Sequence, residues 1–150
     1  MKLATALTQR ADLQTRISEL SVRLNNNAKV QDGEEPAEKP ESLLNELDSC
    51  SRQLEDLISR INLTNSSVKV GDVTITQLLA KRDVLAKKIS IERTFLDNAS
   101  ERVTRYSKTE IVIKSTVDVA SMQKKIDKMS KELRELDELI QEANWTTELK

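Results

Sequence analysis

Histidine is absent from this sequence, cysteine occurs once, at Cys50, and glycine and proline occur twice each. Each scarcity excludes something. Without histidine the chain lacks the commonest general base and the commonest transition-metal ligand. A single cysteine cannot form an intrachain disulfide, which fits a reducing compartment. So little glycine and proline leaves few turn formers, so the elements are expected to be few and long. Aromatic residues make up 2 % and hydrophobic residues 37 %. That is thin for a globule and suits amphipathic helices that each bury one stripe. A chain of 150 residues with so little core is expected to form a single helical domain and to bury further surface against a second copy of itself.

Other absences bear on function. The formal net charge of −1 gives nucleic acid nothing to be drawn to, and there is no strongly basic arm. Strongly apolar runs are short, which excludes a transmembrane helix. Arg10, Asp12, Arg16 and Glu19 interrupt the region where the apolar core of a signal peptide would lie, so a cytoplasmic protein is expected. There is no glycine-rich phosphate loop, no G-x-S-x-G and no metal-spaced cluster, so no cofactor is implied and an enzyme is disfavoured.

What is present is helical periodicity. Val119, Met122, Ile126, Met129, Leu133, Leu136, Ile140 and Ala143 alternate spacings of three and four, an unbroken heptad seam for a helix over 117–143. A helix over 3–28 has the seam Leu3, Ala6, Arg10, Leu13, Ile17, Leu20, Leu24 and a fray point at Asn25-Asn26-Asn27. An acidic linker follows over 31–39. Its Glu34, Glu35 and Glu38 superficially match carboxylates that hold magnesium on a helix, but Pro36 removes that geometry. A helix over 41–65 carries the stripe Leu43, Leu47, Cys50, Leu54, Leu57, Ile61, which Leu44 and Ile58 widen. Residues 67–75 alternate valines and isoleucine around Gly71-Asp72 and read as a β-hairpin. A helix over 76–106 has the seam Leu78, Arg82, Leu85, Ile89, Glu92, Leu96, Ala99, Val103, Tyr106. Residues 108–114, centred on Ile111-Val112-Ile113, read as an edge strand. Ser115-Thr116-Val117-Asp118 fits a capping box that opens the last helix.

The expected fold is therefore mainly all-α: an antiparallel bundle of long helices with coiled-coil seams, a short hairpin and one edge strand. In an up-down bundle the hairpin and the strand lie at opposite ends and cannot pair. An unpaired apolar strand is a liability that another subunit would relieve, the alternative being that the strand packs flat against its own helices. A homo-oligomer is the expected partner, with Ile111, Ile113 and Trp145 as interface anchors.

Charged seam positions are the sharpest chemical feature. Arg10 and Arg82 fall at similar heights in such a bundle, and Glu92 lies higher. The plain reading is that these charges fix register or snorkel outward. The sharper reading is a polar layer that holds a small anionic ligand. A second candidate for anion binding is the start of the last helix, with Lys114, Ser115 and Thr116, although a capping box explains the same residues.

Several stretches carry a resemblance: Met1-Lys2-Leu3-Ala4, Arg10-Ala11-Asp12-Leu13, Asn27-Ala28-Lys29-Val30-Gln31, Arg105-Tyr106-Ser107, Ser115-Thr116-Val117-Asp118-Val119 and Glu142-Ala143-Asn144-Trp145-Thr146-Thr147-Glu148-Leu149. They resemble a small family of bacterial septicolysin-like proteins over essentially the whole chain, most specifically in the C-terminal run. The resemblance implies a bacterial helical protein, and the family's name implies a haemolytic, pore-forming toxin. That toxin is a minor alternative here, because the residues supply no secretion signal, apolar span or long amphipathic hairpin. The family offers no catalytic residues. A homo-oligomeric structural or interaction protein is the principal expectation.

Overall fold

A computed structural model describes residues 1–101 and 112–150. Its elements in chain order are α1 (Leu3–Asn26), α2 (Pro40–Ser67), β1 (Lys69–Val70), β2 (Val73–Thr74), α3 (Ile75–Ser100) and α4 (Val119–Thr146). The fold is mainly helical with one short antiparallel hairpin, as the periodicities predict. Contacts divide it into two compact units, one of Met1–Ile75 with Gln141–Lys150 and the other of Thr76–Ile140.

In the first unit α1 and α2 form an antiparallel pair. Leu20, Leu43 and Cys50 are buried between them, with Leu13, Ile17, Leu24 and Leu47 packed around. Burial of each such leucine contributes about 1.5–3 kcal/mol. Cys50 is a small core residue here. Pro40 opens α2 at a first-turn position with Glu41 beside it, favourable to the helix dipole.

The connection from α1 to α2 is tied down. Asn27, expected to fray, is instead buried. Its Nδ2 donates to the Arg23 carbonyl at 2.8 Å, and its Oδ1 accepts the Glu38 N–H at 3.0 Å. The amide thus satisfies the end of α1 and the far end of the acidic linker together. Arg23 Nε donates to Glu38 Oε2 at 3.0 Å. That guanidinium holds the Glu38 carboxyl below its ordinary range.

The hairpin pairs Lys69 with Thr74 and Val70 with Val73. Gly71, at φ +62°, supplies the left-handed residue that the two-residue turn requires. The Ile75 N–H donates to the Val68 carbonyl at 3.1 Å, which closes the hairpin onto the start of α3.

The two chain ends meet in this unit. No side chain caps α1. Its Leu3 N–H donates to the Thr147 carbonyl at 2.9 Å, and the Leu149 N–H donates to the Met1 carbonyl at 2.8 Å. Glu148 accepts the N-terminal ammonium at 3.0 Å and lies 2.7 Å from Lys2 Nζ. Those two cations lower its carboxyl below the ordinary range. The Lys150 N–H donates to Thr64 Oγ1 at 3.0 Å, and Arg60 Nε donates to the Lys150 carbonyl at 2.8 Å.

In the second unit α3 and α4 run antiparallel, because Lys81 pairs with Glu132 and, further along α3, Glu92 pairs with the earlier Lys125. Ile89, Leu96, Ile126 and Met129 form the core, with Leu85, Val119, Met122 and Leu133 against it. These are the expected seam positions. Residues 112–114 have no regular secondary structure, contrary to the strand expected there, and the remainder of that strand lies outside the described residues, as does the expected end of the third helix. Among the described residues no helix is long and apolar enough to cross a membrane.

Candidate functional site

The seam of α3 accounts for only one of its faces. Val84, Ile91 and Phe95 are 69 %, 60 % and 44 % exposed. Positions 84, 88, 91 and 95 repeat every four, three and four residues, so they share one face of the helix, about 120° around it from the buried Ile89 and Leu96. Lys88 completes that array and Lys87 adjoins it. Neither lysine makes an ion pair with a described residue. An apolar strip of this kind lies outside the core that the other side of the helix builds. Phe95 and Ile91 were not among the residues picked out from the sequence. The signal was present, since 84, 91 and 95 follow the same spacing rule as the seam, but the seam itself overshadowed it.

The expected aromatic anchor behaves similarly. Trp145 lies in the last turn of α4 and is 64 % exposed, so most of its surface faces away from its own chain. Ile113 is 65 % exposed, and Ile111 lies outside the described residues. The chain has one Phe, one Trp and one Tyr. Both aromatics within the described residues, Phe95 and Trp145, are exposed, while aliphatic side chains fill the cores.

The charged seam residues are accommodated individually. Arg82 turns to its neighbour, with Nε and Nη2 donating to Asp83 Oδ1 at 3.0 and 2.9 Å. Glu92 Oε1 accepts from Lys125 Nζ at 2.7 Å, whereas its Oε2 is buried without a partner among the described residues. Arg10 is half-buried on α1, and its Nε is likewise buried without a partner there. Arg10 belongs to the first unit, and Arg82 and Glu92 to the second.

At the start of α4 the capping differs from the expected box. Asp118 is itself the cap, its Oδ1 accepting the Ser121 N–H at 3.1 Å. The Ser115 hydroxyl makes a local turn instead, donating to the Val117 carbonyl at 3.0 Å. Lys114, Ser115 and Thr116 are exposed. The positive end of the helix thus already faces a carboxylate of its own chain. In the acidic linker the Glu38 carboxylate is engaged by Arg23. Among the described residues no three acids or cysteines are grouped to hold a metal ion.

A second surface lies in the first unit. Ile17 of α1 and Leu54 and Ile58 of α2 line an open groove of about 590 Å³, together with Ser51, Glu55 and Asn62.

Comparison with known proteins places residues 10–149 in a match to the sequence model of a family of unknown function, DUF6847. A crystal structure of a functionally unknown conserved protein from Corynebacterium diphtheriae is similar over the full length. It is 42 % identical with a TM-score of 0.90, and the alignment covers 100 % of this chain and 99 % of that one. No curated protein matches. These findings overturn the septicolysin-like resemblance, since neither the family nor the structural relative is of that kind. The pore-forming reading rested on that name and is withdrawn with it.

Proposed function

We propose that this chain, which belongs to the DUF6847 family of unknown function, is an interaction protein that assembles with further copies of itself. The observation that carries this reading is that Phe95 and Trp145 are 44 % and 64 % exposed in a chain whose aromatic content is 2 %. Large, stiff aromatics are the side chains that anchor interfaces, and exposing them to water without a partner is unfavourable. Val84 and Ile91 extend the patch around Phe95, and the exposed Val112 and Ile113 add apolar surface elsewhere.

Sedimentation velocity across a range of protein concentrations tests the proposal. Assembly should appear as the concentration rises and weaken in Phe95→Ser or Trp145→Ser. A monomer throughout the micromolar range would sink the proposal.

One observation favours a second reading, in which Arg10 takes up a small anion: its Nε is buried with no partner among the described residues. Thermal-shift measurements with phosphate and small organic acids address it. An anion that raises the Tm of wild type but not of Arg10→Met supports uptake there, and equal shifts in both proteins dismiss it.

A further inference from the structure

The chain is nearly neutral overall but its charge is unevenly divided. Residues 76–140 carry fourteen lysines and arginines against eleven acids, and the remaining residues carry ten against fourteen. The exposed face of α3 sits in the basic part and the groove along α2 in the acidic part.

The two surfaces also match at their central positions. On α3 the array is Val84, Lys88, Ile91, Phe95. On α2 it is Ser51, Glu55, Ile58, Asn62, all of which line the groove. Both arrays have spacings of four, three and four, and each covers roughly 17 Å of helix at 1.5 Å per residue. Laid parallel and in register, they bring Lys88 opposite Glu55 and Ile91 opposite Ile58. In either orientation Val84 and Phe95 face Ser51 or Asn62 at the ends, but the antiparallel one also sets Lys88 against Ile58 and Ile91 against Glu55. Helices with matched three-four arrays pack side by side, and flanking opposite charges select the register.

We infer that the outer face of α3, through Val84, Lys88, Ile91 and Phe95, docks in parallel register onto the α2 groove around Glu55 and Ile58 of a second copy. The occupant is another copy of this chain because one molecule carries both halves of the match. The contact joins two different surfaces and is therefore heterologous. This inference rests on the self-association proposed above and specifies its surfaces.

A charge exchange tests it. Lys88 and Glu55 are both exposed, so Lys88→Glu and Glu55→Lys should leave the fold intact, which circular dichroism checks. Each single variant should weaken assembly about tenfold or more, because like charges then face each other. The double variant should restore assembly to near the wild-type level. If wild type assembles and the double variant is no better than the singles, this pairing is overturned while self-association stands. If wild type does not assemble, self-association itself fails. Ile91→Asp gives an independent reading, since assembly unaffected by a charge at the centre of the face would also overturn the pairing.

Discussion

Thr64 Oγ1 accepts the backbone N–H of Lys150 at 3.0 Å and donates its own proton to the Arg60 carbonyl at 2.8 Å. Thr64 is fully buried. One hydroxyl therefore secures Lys150 to the last turn of α2. Thr64→Val keeps the shape and removes both bonds. Leaving the Lys150 N–H without its partner should cost about 1–3 kcal/mol. Urea denaturation should show a lower midpoint with an unchanged slope, and a variant as stable as wild type would contradict this role.

Trp145 and Leu149 should respond in the opposite order to their sizes. Leu149 is 8 % exposed and Trp145 is 64 % exposed. Leu149→Ala should destabilise by about 2–3 kcal/mol, toward the lower end for a buried leucine because it lies near a terminus. Trp145→Ala should stay within about 0.5 kcal/mol of wild type. Thermal unfolding of the two variants at low concentration, where assembly contributes least, makes the comparison.

Stability should fall on acidification. Glu148 is held below the ordinary carboxylate range by Lys2 and the N-terminal ammonium, and Glu38 by Arg23. A carboxyl with a depressed folded-state pKa contributes stability that is fully present above its unfolded pKa. That contribution is lost as pH falls through the folded value. The decline should therefore begin near the ordinary glutamate pKa of about 4.3 and continue below it. Glu38→Gln and Glu148→Gln should each flatten the plot of Tm against pH in that window, and profiles that superimpose on wild type would refute the assignment. Both groups are at the surface, so added salt should also reduce their contribution.

Asp118 caps α4 through the Ser121 N–H at 3.1 Å. Asp118→Ala should cost about 1 kcal/mol, whereas Ser115→Ala should cost little, since the Ser115 hydroxyl serves only a local turn. Equal effects at the two positions would restore the capping box expected from the sequence.

The helices were legible where one face alone is apolar. Leu43, Cys50, Leu57 and Ile61 on α2, and Ile126, Met129, Leu136 and Ile140 on α4, are the predicted stripe positions and are buried. The hairpin was legible because Gly71 interrupts alternating valines. The outer face of α3 was obscured because Val84, Ile91 and Phe95 add a second apolar stripe that blurs the period of the first. The cap of α4 was misassigned because Ser115 and Asp118 are both good capping residues. Only the path of the chain into the helix decides between them. The pairing of Met1 and Glu148 spans 147 residues, and no local pattern encodes a contact at that separation.

That pairing also governs the order in which the molecule can be completed. The first unit takes residues from both ends of the chain, and the 76–140 stretch lies between them. At about 5–20 residues per second, a ribosome needs several seconds to make that stretch. Throughout that interval α1 and α2 have been synthesised, but Leu3 lacks the carbonyl it will bond and Thr64 lacks its final donor. The nascent chain therefore waits with an open edge that residues 147–150 close, and the same residues of a neighbouring molecule present the same groups in the meantime.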